Sequence, residues 1–277
     1  MTFEEAVHVA REKLERAGVE DASIEAEVLL RHVLNLTRAQ LYADYDREMG
    51  PVQNQRYSRL LRRRLAGEPT AYITGVREFY GINFRVDRRV LIPRPESELL
   101  VEEAIRLSRT GASSFADIGT GSGAIAVSLA VNLPGAKVYA VDISADALEV
   151  TAFNCRRHGV ENRVTLLHGD LLGPLPARVD VIIANLPYVR KSELSAVNTC
   201  GYEPRLALDG GLDGLDQVRR IIDQLAGRLN PGGRLLLEIG QGQADSVCRI
   251  ARDDILGAGV DVLPDLAGIP RVVAVTV

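Results

Sequence analysis

The feature that most constrains this chain is the alternation of short apolar runs with amphipathic stretches from residue 97 onward. "SSFADIG", "AKVYAVDIS", "RVTLLHGD" and "RVDVIIANLPY" each read as a buried strand. Helical stretches such as "GAIAVSLAVNLP" and "ADALEVTAFNCRRHG" separate them, and strand "GGRLLLEIG" and two last strands, "VDVLPD" and "PRVVAVTV", follow. Strands alternating with helices require a mostly parallel sheet covered on both faces. An α/β fold is therefore predicted over 97–277. Residues 1–75 read as helices only, opening at an N-cap, Thr2, before Glu4 and Glu5. Residues 76–96 alternate aromatic and β-branched residues with polar ones around Gly81, which suggests a hairpin linker, and end in "LIPRPE", read as extended and stiff.

Composition excludes several classes. A net charge of −4 argues against a protein that binds nucleic acid through a bulk positive field. Cys155, Cys200 and Cys248 are scattered and odd in number, which suggests neither a disulfide framework nor a zinc knuckle; idle thiols in a reducing compartment are expected. The N-terminus is an acidic amphipathic helix rather than a signal peptide, and no apolar run approaches the ~18 residues that span a membrane. A cytoplasmic protein is expected. The helical module is polarised: residues 1–30 carry three basic and eight acidic side chains, and residues 31–66 carry eight and three. Solvated helix faces explain this, and so does a docking surface for a partner.

The first strand runs into "ADIGTGSGAIAVSLA". Gly119, Gly121 and Gly123, with Thr120 and Ser122 between them, let the backbone approach a ligand where a Cβ would clash. The next helix points its N-terminus at that ligand. Asp142 follows at the end of the second strand, where a carboxylate can accept both hydroxyls of a ribose. NAD enzymes and S-adenosylmethionine enzymes both use this arrangement, and the loop also fits a permissive dinucleotide fingerprint. Asp117 within "DIGTGSG" tilts the reading to S-adenosylmethionine, as an acid near the methionine part of the cofactor. So does the end of the chain, which suits a sheet whose final strand is inserted antiparallel. At the third strand end, Asp170 could face an adenine amine and Leu171 the ring, or Asp170 could simply cap a turn.

Strand four ends in Asn185, Leu186, Pro187 and Tyr188. An amide NH2 is a poor nucleophile because its lone pair is delocalised. Two acceptors on its two N–H bonds would aim the lone pair at a methyl carbon and stabilise the charge that builds on nitrogen. Asn185 Oδ1 is one candidate acceptor and the backbone carbonyl of Leu186 the other, with Tyr188 stacking on the flat group. Asn-x-Pro is also an ordinary turn sequence. His8, His32, His158 and His168 form no cluster, and no metal is expected.

Over essentially its whole length the chain resembles the PrmC/HemK family, the N5-glutamine methyltransferases that modify class I peptide release factors. The resemblance rests on "REFYG", "VLIPRPESELLVEEA", "DIGTGSGAIA", "NLPY", "YEPRLALDGGLDGL" and "RVVAV". It implies a Rossmann-like class I methyltransferase domain with a last antiparallel strand, behind a small helical domain that helps recognise the substrate. It further implies methyl transfer from S-adenosylmethionine to the Gln of a Gly-Gly-Gln motif, held by Asn185 to Tyr188. A monomer that binds no nucleic acid directly is expected. The alternative is an N6-adenine-type nucleic-acid methyltransferase, since an adenine amine is also a flat NH2. Two positions depart from the family pattern: Leu186 stands where a first proline is usual, and Ser97 where Thr is common.

Overall fold

A strand buried on both faces needs hydrogen-bonding neighbours and a cover of helices, and the apolar runs obtain both by joining one sheet. The structure, a computed structural model, describes residues 1–195 and 201–277. It divides into two compact units, Met1–Val76 and Arg77–Val277.

The first unit is helical: α1 (Phe3–Arg16), α2 (Ala22–Leu34), α3 (Arg38–Ala43), α4 (Pro51–Leu65) and α5 (Thr70–Thr74). Thr2 and Thr37 cap α1 and α3 in full capping boxes, Glu5 and Gln40 reaching back to the cap backbone. Pro51 starts α4, where a missing N–H costs nothing. Phe3, Leu14, Leu29, Leu30 and Leu41 form the centre of its core. Inside it, the Tyr57 hydroxyl donates to Ala26 O at 3.0 Å. Part of the charge polarity is neutralised internally: Arg64 of α4 pairs with Glu25 of α2, and Arg38 with Glu27 at 3.0 Å. The five-residue α5 has no counterpart in the sequence reading, because it is too short to show a period.

At the boundary of the second unit stands a hairpin, β1 (Val76–Phe79) and β2 (Ile82–Arg85), which turns at Tyr80 and Gly81 with φ of +50° and +74°. Positive φ at both central residues suits a type I′ turn. "LIPRPE" is not extended throughout. Arg94 is, as a residue before proline must be, but Pro95–Ser97 closes a 3-10 turn that leads directly into α6 (Glu98–Ser108). Then follow β3 (Ser114–Ile118), α7 (Ala124–Asn132), β4 (Lys137–Asp142), α8 (Ala145–Arg157), β5 (Val164–His168) and β6 (Val179–Ala184). The chain ends with α9 (Asp216–Asp223), β7 (Leu229–Glu238), α10 (Ala244–Asp254), β8 (Gly259–Pro264) and β9 (Pro270–Thr276). Cys155 and Cys248 are buried thiols, and Cys200 lies outside the described residues.

Among the described residues the sheet has seven strands in the order β5-β4-β3-β6-β7-β9-β8. The first five are parallel, and β9 is inserted antiparallel between β7 and β8. Core residues alternate along each strand. Ile182, Leu235 and Leu237 belong to one apolar layer with Ile221 and Val247, and Ile183 and Leu236 to the other with Leu100 and Leu129. Sheet growth reverses between β3 and β6, so a crevice opens at their carboxyl ends. Leu236 is fully buried at the middle of β7. Leu236→Ala should destabilise the Arg77–Val277 unit by about 2–5 kcal/mol, seen as a lower urea midpoint for that unit's transition.

Candidate active site

The glycine loop leaves β3 at that crevice. Gly119, Gly121 and Gly123 all have positive φ, at +73°, +57° and +79°, a region that side chains disfavour. Space forbids a side chain as well: a Cβ on Gly123 would come 2.7 Å from Thr151 Cγ2. Two buried acids hold the loop. Asp117 Oδ2 accepts from Thr120 Oγ1 at 2.6 Å and from Ala126 N at 3.1 Å. Asp142 accepts from Gly121 N at 2.8 Å through Oδ2 and from Ser144 N at 2.9 Å through Oδ1. Burial pushes the Asp117 carboxyl up to about 7 and raises that of Asp142. From α8, Thr151 Oγ1 donates to Gly121 O and Asn154 Nδ2 to Ser122 O, both at 2.8 Å.

β3 and β6 pair in register through Ile118 and Ala184, so Gly119 and Asn185 emerge side by side. Asn185 Nδ2 donates to Ser97 Oγ at 2.8 Å, and Ser97 Oγ donates to Glu238 Oε2 at 2.6 Å. The Tyr188 hydroxyl donates to Glu238 Oε1 at 3.5 Å. Burial raises the Tyr188 phenol to about 12 and the Glu238 carboxyl to about 7. Neither Asn185 Oδ1 nor Leu186 O takes a hydrogen bond from the described residues. The Leu186 side chain, credited above with nothing beyond a carbonyl, is 6% exposed and packs on the loop: a Cβ on Gly119 would meet Leu186 Cδ2 at 3.3 Å.

The segments flanking "NLPY" are fastened to it. Glu203, in "YEPRLALDGGLDGL", accepts from Ile92 N at 3.0 Å and from Arg94 Nη2 at 2.6 Å, which locks that segment to "LIPRPE". Val189 N donates to Leu208 O at 3.0 Å, and Gly210 N to Val189 O at 2.9 Å. Gln243 Nε2 donates to Tyr188 O at 3.2 Å and to Gly214 O at 3.4 Å.

Together these elements line one cleft, with about 890 Å³ of empty space counted out to its open mouth. Of the residues singled out from sequence, Gly119, Gly121, Asp142, Asp170, Leu171, Asn185, Leu186 and Pro187 line it. Asp117, Thr120, Ser122, Gly123 and Tyr188 are not among its lining residues; Asp117 and Thr120 brace the loop from beneath. Asp170 is half exposed and pairs with Arg220 at the cleft wall. Sequence reasoning missed Asn154, Glu203, Glu238 and Gln243. A Glu at the end of an otherwise apolar strand run, "LLLEIG", was the one available signal for Glu238. Among the described residues, no group of three or more His, Cys, Asp and Glu is placed to hold a metal ion, and no helix is long and apolar enough to cross a membrane.

The fold resembles the crystal structure of a methyltransferase from Pyrococcus furiosus, with a TM-score of 0.55 and 18% identity over 79% of this chain and 98% of that one. It also resembles a ribosomal protein L11 methylase from Lactobacillus delbrueckii subsp. bulgaricus, with a TM-score of 0.51 and 21% identity over 69% of this chain and 83% of that one. A seven-stranded sheet with an inserted antiparallel strand, and a glycine loop at its switch point, define the class I methyltransferase fold. Residues 5–75 match the family model for the PrmC N-terminal domain, and residues 95–199 match that for the methyltransferase small domain. The chain is 45% identical to the release factor glutamine methyltransferase of Moorella thermoacetica, over 98% of this chain and 97% of that protein. It is 43% identical to that of Geobacter sulfurreducens, over 89% and 87%. The chain belongs to the release factor glutamine methyltransferase family.

Two predictions follow from the bracing of the site. Gly214 has φ +80°, and a Cβ there would lie 2.4 Å from Tyr188 O and 2.7 Å from Gln243 Nε2. Gly214→Ala should therefore cost roughly 2 kcal/mol or more and lower activity at a temperature where the fold persists, read by thermal melting beside turnover. Asp117 holds its proton to about 7 when folded but only to 3.8 as an ordinary exposed carboxyl, so the folded state binds the extra proton between these values. Its contribution is full at low pH and is lost as pH rises through about 7. Asp117→Asn keeps an oxygen for Thr120 and Ala126 and does not titrate. It should flatten the fall in stability between pH 5 and pH 8 by on the order of 3 kcal/mol, leaving the like-signed part due to Glu238. Equal urea midpoints for variant and parent at both pH values would contradict this.

Proposed function

We propose that this protein transfers a methyl group from S-adenosylmethionine to the side-chain amide nitrogen of the Gln in the Gly-Gly-Gln motif of class I peptide release factors. The observation that carries the reading is the pair of uncommitted acceptors, Asn185 Oδ1 and Leu186 O, beside a glycine cradle and the buried Asp142. The residues fit the cofactor. Gly119 and Gly121 leave backbone open where side chains would intrude, and each Asp142 oxygen, held by one N–H, keeps a lone pair for a ribose hydroxyl. Asp170 and Leu171 would flank the adenine. When bound, S-adenosylmethionine supplies an electrophilic methyl carbon.

The chain's part is to make an amide nucleophilic. Two acceptors on the two N–H bonds turn the nitrogen lone pair toward the methyl carbon and offset the positive charge that builds there. Asn185 Oδ1 and Leu186 O would hold the nitrogen's two N–H bonds while the C–N bond formed at the expense of the cofactor's methyl–sulfur bond, and one of those protons would then leave to solvent. Tyr188 stays a neutral phenol and packs against the flat group. The helical unit Met1–Val76 would recognise the body of the release factor. The 45% identity to a release factor glutamine methyltransferase over nearly the whole chain supports this choice of substrate.

Incubating the full chain with S-adenosylmethionine and a purified release factor should add one methyl to the Gly-Gly-Gln peptide, read by mass spectrometry. Asn185→Ala should reduce turnover by about 100-fold or more with cofactor affinity little changed, whereas Asp142→Ala should weaken cofactor binding in calorimetry. No mass shift with the unaltered chain would overturn the reading.

A further inference from the structure

An asparagine amide carries an oxygen at one end and an NH2 at the other, nearly equal in size, so only its partners decide which end faces a ligand. Methylation of an amide nitrogen as proposed needs the oxygen. Two residues outside the cleft lining set that choice. Ser97 and Glu238 are each 4% exposed. Ser97 Oγ lies between Asn185 Nδ2 at 2.8 Å and Glu238 Oε2 at 2.6 Å. A hydroxyl has one proton to give. An ionised Glu238 has none, so Ser97 must donate to it and must accept from Asn185. The chain of donors then runs Asn185 to Ser97 to Glu238, and Asn185 Oδ1 is left pointing away from it.

Glu238 is an unusual group to bury for structure alone. Buried carboxylates are ordinarily matched with a cation. Among the described residues Glu238 has no ion pair: Arg271, a cation whose charge acts on it, pairs with Asp265 at 3.0 Å and with Glu96 at 4.0 Å, and Arg94 pairs with Glu203. Its partners are the hydroxyls of Ser97 and Tyr188, both next to the substrate-facing groups.

Resting on the function proposed above, we infer that Ser97 and Glu238 form a positioning relay: the Glu238 anion fixes the Ser97 hydroxyl, and that hydroxyl fixes the Asn185 amide with its oxygen toward the substrate nitrogen. The anion also pushes electron density back through the chain onto Asn185 Oδ1, which makes it a stronger acceptor as charge grows on nitrogen. A protonated Glu238 gains an O–H that can donate to Ser97, and in that state the direction reverses and Asn185 presents N–H to N–H. The charged and titratable groups that face Glu238 are Glu96 from the 3-10 turn, Arg271 from β9 and Tyr188 from the loop after β6. Burial and Glu96 favour the neutral form; Arg271 and the two hydroxyls favour the anion. The anionic form is the active one, so turnover rises with pH through the Glu238 titration, near 7.

The test uses the full chain with S-adenosylmethionine and a release factor. Ser97→Ala should lower kcat roughly 10–100-fold with cofactor affinity changed less than about 2-fold, and Ser97→Thr, which keeps the hydroxyl, should restore it to within about 3-fold. Glu238→Gln still accepts from Ser97 but cannot titrate; its kcat should fall about 10-fold and the acid limb of its pH profile should vanish. Glu238→Gln, nearly isosteric, serves if Ser97→Ala does not fold. A readout independent of substrate is the side-chain 15N–1H signal of Asn185. It should shift with pH near neutrality in the parent and stay constant in Glu238→Gln. Parental kcat in Ser97→Ala, an unchanged pH profile in Glu238→Gln, or an Asn185 signal indifferent to both changes would overturn the relay. A parent chain that leaves the release factor unmethylated would instead overturn the proposed function, with the Asn185 signal still deciding the relay.

Discussion

The site depends on one pairing, that of β3 with β6. Paired residues of these strands are 66 positions apart in the chain, yet the strands lie parallel and in register, ending together at Ile118 and Ala184. Whatever follows them must share one small volume. On one side that is a glycine loop, on the other "NLPY". The glycine at 119 is explained by this neighbourhood as much as by a ligand, since Leu186 Cδ2 and Asn185 O occupy the space its Cβ would need. Because the order of strands reverses at this point, no helix crosses over the gap and a cleft remains.

Three acids sit at or near the carboxyl ends of strands around the crevice: Asp117 on β3, Asp142 on β4 and Glu238 on β7, beyond β6. All are buried, and none is in an ion pair among the described residues. Each is held by N–H or O–H donors instead. Asp117 has the N-terminal turn of α7 and Thr120, Asp142 has the backbone of Gly121 and Ser144, and Glu238 has Ser97 and Tyr188. Hydrogen bonds of this kind offset part of the desolvation cost while leaving the carboxyls easier to protonate than exposed ones. Glu203 shows the contrast: it is equally buried but paired with Arg94, and it serves to hold two segments together.

That clasp explains why "LIPRPE", "NLPY" and "YEPRLALDGGLDGL" are found in one chain. Glu203 joins the first to the third, Gln243 joins the second to the third, and Gly210 and Gly214 permit the contact because a Cβ at either would strike the backbone of Pro187 or Tyr188. The three motifs are one structural unit around the cleft.

Much of this was legible in the residues. The layers of the sheet, the helical character of the first 75 residues, the glycine loop, Asp142 and the placing of "NLPY" after a strand all follow from local period and local backbone demand, which neighbouring residues encode. The 3-10 turn at Pro95–Ser97 and the short α5 did not follow, since neither is long enough to impose a period. The support of the site was not legible either. Ser97 meets Glu238 across 141 residues, and Asn154 meets Arg85 across 69. The sequence by itself determined which elements form and which side chains carry acceptors. Only the tertiary structure decided which way the Asn185 amide points, because that rests on a hydrogen-bond chain between residues that the sheet, and nothing local, brings together.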